Sequence, residues 1–82
     1  MSRFDRTQRL SGLKGGSSGR VITVLADHPG RIERLRALGV TPGAAVTVLQ
    51  TFPGVVFLCD QTELAVEPAV ARSILIEVAD EA

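Results

Sequence analysis

The sequence predicts a small, mostly antiparallel β barrel with one short helix. Three observations lead there. Short runs rich in Val, Ile, Leu and Thr recur along only 82 residues, tight turns containing Gly, Pro or Asp separate most of them, and a single stretch carries helical periodicity. A chain of this length forms one domain and buries roughly 60–65% of the surface its unfolded form exposes. The hydrophobic fraction of 45% suffices for one core, and with only Phe4, Phe52 and Phe57 aromatic, aliphatic side chains must fill it.

Taken in order, residues 1–9 read as a polar, flexible leader. Residues 11–19, with Gly12, Gly15, Gly16 and Gly19 among serines, read as a turn-rich loop. The loop is no phosphate cradle: no Gly-Lys-Ser/Thr follows it, and it leads into a strand where a phosphate site needs a helix N-terminus. Arg20 to Leu25 is the first strand. In Arg31 to Leu38, the apolar residues Ile32, Leu35 and Leu38 recur at helical spacing, with Asp27 or a neighbour as the cap. Gly39 supplies the left-handed stop, and Pro42-Gly43 a tight turn.

The strands Ala45 to Phe52 and Val55 to Cys59 are joined closely enough for a hairpin. Glu63 to Val66 is the next strand, and residues 68–72 allow one helical turn with Pro68 leading it. Ser73 to Val78 is the last strand, and 79–82 a charged tail, so the domain proper spans 10–78. The segment Val55-Val56-Phe57-Leu58-Cys59 is apolar throughout, whereas a strand with one wet face alternates. Its outer face is covered either by the chain itself or by a partner.

Charge and composition exclude several functions. Residues 1–41 hold eight basic and three acidic side chains, and residues 42–82 hold one and six, so a net charge of zero conceals halves of +5 and −5. A sequence pI of 6.5 gives no basic field for nucleic acid, although Gly19-Arg20-Val21-Ile22-Thr23-Val24 superficially resembles the KOW-type strand of ribosomal and transcription-factor barrels. One histidine and one cysteine supply no catalytic constellation and no zinc-type ligand spacing, which argues against an enzyme. Asp27, His28 and Cys59 are the only metal-ligand candidates, for Fe²⁺ or Zn²⁺, and only if folding gathers them. The lone cysteine also forbids an internal disulfide. No signal-peptide pattern and no apolar run of membrane-spanning length are present, so the expected location is cytoplasmic.

Three blocks of residues together resemble the ferrous-iron transport protein A (FeoA) family. Leu10-Ser11-Gly12-Leu13 through Gly19-Arg20-Val21 is similar to its opening, glycine-rich loop and first strand. Arg34-Leu35-x-x-Leu38-Gly39-x-x-Pro42-Gly43-x-x-Val46-x-Val48 resembles its central helix, turn and strand. Glu63-Leu64-Ala65-Val66 and Ala71-Arg72-Ser73-Ile74-Leu75-Ile76 resemble its close. Where many members carry a longer segment with a Gly-Asp-Pro-like turn, this chain has only Phe52-Pro53-Gly54.

The resemblance implies an SH3-like barrel without catalysis, acting in the cytoplasm on the membrane GTPase iron permease of the Feo system, FeoB. Such a protein would be peripheral to the membrane through its partner. Arg31, Arg34 and Arg36 on the helix, with Phe52, Val55 and Phe57 on the hairpin, are the expected docking residues, since arginine and aromatic side chains dominate interface energetics. Two alternatives stand beside this reading. One is a metal-responsive domain; the other is a general SH3-like interaction module related to the C-terminal domains of metal-dependent repressors. Exposed sheet edges leave a homodimer open.

Overall fold

The computed structural model describes residues 6–25 and 28–79. Six strands form one antiparallel sheet: β1 (Thr7–Arg9), β2 (Ser18–Val24), β3 (Ala45–Gln50), β4 (Val55–Cys59), β5 (Thr62–Val66) and β6 (Ile74–Val78). Their spatial order is β1-β6-β2-β3-β4-β5. Helix α1 spans Arg31–Ala37, α2 is the single turn Pro68–Ala71 with proline in its first turn, and a 3-10 turn covers Leu10–Gly12. The mostly β architecture with one short helix and one helical turn is thus the one the sequence predicts.

Alternation places the core. Val46 and Val48 of β3, Val55, Phe57 and Cys59 of β4, and Ile74 and Ile76 of β6 all point inward. The uniformly apolar β4 follows this rule too, with Val56 and Leu58 half-buried on the outer face. β2 breaks the alternation for a visible reason. Its pairing with β6 shifts between Val21 and Thr23, so Ile22 is an extra residue, and Thr23, which alternation from the buried Val21 would turn inward, is exposed beside it. A second shift, between Val48 and Gln50, makes Leu49 an extra residue of β3 and leaves Leu49 and Gln50 both exposed.

Two features differ from the sequence reading at the N-terminal side. Thr7–Arg9, inside the stretch read as a flexible leader, is a strand whose residues pair with Glu77, Ile76 and Leu75 of β6. Its polar composition is what concealed it, because an edge strand with little buried surface needs no apolar alternation. Residues 1–5 of that leader and 80–82 of the tail lie outside the described residues. The glycine-rich loop is bound to β3: Gly16 N–H donates to the Val48 carbonyl (2.7 Å), and Val48 N–H donates to the Ser17 carbonyl (2.8 Å). Gly19 belongs to β2, where a Cβ would run into the Glu77 carbonyl oxygen and lie 2.9 Å from Ile76 Cγ2. Glycine there permits β2 and β6 to meet.

Helix α1 ends as a glycine stop predicts. Gly39 has φ 99°, its N–H donates to the Arg36 carbonyl (3.0 Å), and Val40 N–H donates to the Leu35 carbonyl (2.9 Å). These are the paired bonds of a Schellman motif, with the C3 and C″ side chains Leu35 and Val40 both buried. The chain then turns at Thr41-Pro42-Gly43-Ala44, closed by Ala44 N–H to the Thr41 carbonyl (3.0 Å), with Gly43 at φ 91°. Proline followed by a left-handed glycine fits a type II turn. The start of α1 differs from expectation. Gly30, at φ 83°, occupies the cap position with no side-chain bond, and the proposed cap Asp27 lies outside the described residues.

Candidate functional site

On α1, Arg34 and Arg36 are exposed and Arg31 is half-buried, as is Ile32. Only Leu35 of the expected stripe is buried; Leu38, the cap residue beyond the last turn, is 46% exposed. A helix turns about 100° per residue, so Arg34 and Arg36 flank the buried Leu35 on its two sides and do not face each other. Leu38 adds an apolar group at the end of this basic, exposed surface.

The hairpin places its expected docking residues on different faces. Phe52, in the turn between β3 and β4, is 84% exposed. Val55 and Phe57 are buried in the core and have no surface with which to touch a partner. Alternation forces this separation, because Val55 and Phe57 fall in register with the inward Cys59. The outer apolar surface is instead made of Leu49, Phe52, Val56 and Leu58. Leu49 reaches it by alternation from the inward Val46 and Val48.

The arginines and Phe52 also lie apart along the hairpin. Cys59, at one end of β4, donates its S–H to the carbonyl of Gly39 at the exit of α1 (3.4 Å). Phe52 belongs to the turn at the opposite end, on the order of 15 Å away at the rise of a strand.

The metal candidates are not gathered in one site. Burial pushes the Cys59 thiol up from its ordinary value of 9.0, and the Asp60 carboxylate beside it acts in the same direction. Both disfavour the thiolate that a metal ligates. His28 is exposed in the turn before α1, where its carbonyl accepts the Arg31 N–H (3.3 Å). Asp27 lies outside the described residues, and among those described no group of three or more His, Cys, Asp or Glu side chains converges. Among the described residues, His28 and Cys59 therefore do not form a metal site together with other such side chains.

Asp60 has a structural part as well. At φ 57° it opens the two-residue turn from β4 to β5, its N–H donates to the Ala45 carbonyl (2.7 Å), and its carboxylate accepts the Ala45 N–H (3.1 Å).

The FeoA domain family matches residues 8–78, nearly the whole chain. The protein belongs to the FeoA family. The solution structure of the FeoA protein from Chlorobium tepidum is similar at 32% identity, with a TM-score of 0.79 over 90% of this chain and 74% of that one. Stenotrophomonas maltophilia FeoA, crystallised with zinc and described as a prokaryotic SH3 domain protein, is similar at 23% identity and TM-score 0.77, covering 84% and 88% of the two chains. IdeR of T. acidophilum shares the fold at 19% identity and TM-score 0.81, over 89% of this chain but 34% of that longer one. A comparison with curated protein sequences gives no match. Among the described residues of this FeoA-family chain, no helix is long and apolar enough to cross a membrane.

Proposed function

We propose that this FeoA-family protein is a non-enzymatic cytoplasmic accessory of ferrous-iron uptake that docks on the cytoplasmic part of a membrane GTPase iron permease of the FeoB type. Ferrous iron is then the permease's cargo. The family match across residues 8–78 carries the reading. The exposed Arg34 and Arg36 of α1 and the exposed Phe52 supply side chains of the types that anchor interfaces. An interface of ordinary size buries about 800 Å² per partner, wide enough to take in both patches.

The test is binding of the soluble GTPase domain of the permease from the same organism. Arg34→Glu with Arg36→Glu should weaken binding about tenfold or more while leaving the melting temperature unchanged, because both side chains are exposed. Full binding by this variant would remove α1 from the docking surface.

Metal sensing by the domain itself is the second reading, favoured by the zinc in the S. maltophilia relative. In this chain the buried Cys59 argues against it. A zinc titration of His28→Ala that matches the unaltered protein would leave no site at His28.

A further inference from the structure

The two ends of the strand order differ in charge and in what their backbones offer. At β1 the exposed side chains Arg6 and Arg9 are basic. Asp60, Glu63 and Glu67 are acidic and exposed along and beside β5. Glu63 and Glu67 have no side-chain partner among the described residues.

β5 pairs with β4 on one side only, over its full length and without a register shift. Its outward groups follow from the ladder. Asp60 N–H bonds to Ala45 on β3, so Cys59, Phe57 and Val55 turn their backbone groups to β5. Their partners Thr62, Leu64 and Val66 are thereby satisfied. Glu63 and Ala65 point N–H and C=O away from the sheet, at an edge free of proline, lysine and bulge. The side chains of Glu63 and Ala65 lie opposite Leu58 and Val56, on the outer face that also bears apolar surface.

We infer that the β5 edge is a binding site for an extended, basic segment of a partner protein, which adds as a further strand. Backbone bonds to Glu63 and Ala65 hold the segment. A Lys or Arg opposite Glu63, with neighbouring positive charge toward Asp60 and Glu67, selects it, and an apolar residue opposite Ala65 extends the outer face. The basic β1 edge would repel the same segment. This site is separate from the α1 arginines and stands whether or not the permease reading holds.

A capped peptide of alternating valine and lysine, titrated into isotope-labelled protein, tests it. Amide shifts should saturate along β5, and hydrogen exchange at Glu63 and Ala65 should slow. The same peptide, N-methylated at the amides that would face β5, should bind about tenfold more weakly, since charge is unchanged and only donors are lost. Ala65→Pro should weaken binding similarly and keep its native amide pattern, because the proline removes an outward N–H and no ladder bond. Glu63→Lys should reduce affinity for the lysine peptide and raise it for its glutamate counterpart. Absence of saturable binding, equal binding of the methylated peptide, or unchanged binding by Ala65→Pro would overturn the inference. So would slow exchange at Glu63 and Ala65 in the protein alone that disappears on dilution, which would make a second copy the occupant.

Discussion

At one end of the β3–β4 hairpin, Asp60 donates its backbone N–H to the Ala45 carbonyl and accepts the Ala45 N–H through its carboxylate. There too Cys59 reaches the Gly39 carbonyl, while the Pro42-Gly43 turn is bound to β2 by Gly43 N–H to the Val21 carbonyl (2.8 Å) and by Arg20 Nη1 to the Gly43 carbonyl (2.8 Å). At the other end the register slips at Leu49, and Phe52 stands almost wholly in solvent. The same two strands thus fix the fold at one end and present apolar surface at the other. The bulge there turns Gln50 to the outer side as well, without ending the pairing. Apolar residues at the anchored end are determined by packing; those at the bulged end are free to serve a partner.

The sharpest way to break this contrast is to truncate the two hairpin-associated phenylalanines separately. Phe57→Ala should cost about 3–5 kcal/mol in denaturant unfolding, because the side chain is fully buried and leaves a cavity. A loss below about 1 kcal/mol would mean that the core repacks without it. Next in size is Gly39→Ala at the anchored end. Nothing lies within 4 Å of the added Cβ, so the effect isolates the backbone, and at φ 99° it should cost about 1–2 kcal/mol. For a domain of this size that lowers the melting temperature by about 4–8 °C per kcal/mol.

A smaller effect appears only in alkali. The folded chain holds the Cys59 proton above the pH at which the unfolded chain, near 9.0, releases it. The contribution to stability is therefore complete below pH 9 and is lost as pH rises toward the higher folded value. Cys59→Ala should flatten that decline in melting temperature, and an unchanged alkaline profile would show that another group causes it. Smallest of all is Phe52→Ala, expected within about 0.5 kcal/mol of the unaltered protein. The permease-domain binding assay should register that substitution even though the melting curve does not.

Much of the fold was legible because local chemistry wrote it. Gly39 after a helical stripe, Pro42-Gly43 before a β-branched run and Pro68 in the first turn of a helix each demand one backbone geometry regardless of surroundings. The β4 strand begins and ends where its apolar run does. The facing of the expected docking residues was less legible. Pro53-Gly54 marks Phe52 as a residue of the turn, but Val55 and Phe57 carry the same apolar signal whether they face core or solvent. Only their register against Cys59 assigns the face.

By itself, then, the sequence determined the order of the elements from the first long strand onward, the turns, the family and the absence of cysteine and histidine spacings suited to a zinc finger. These depend on residues near one another in the chain. Tertiary structure alone decided that Thr7–Arg9 completes the sheet, that the ladders slip at Ile22 and Leu49, that Cys59 is closed against Gly39, and that the acidic strand β5 stands at an open edge. Each of these is a pairing between distant segments, and a backbone pairs through groups that every residue shares. The amino-acid code is silent on such choices until the strands meet.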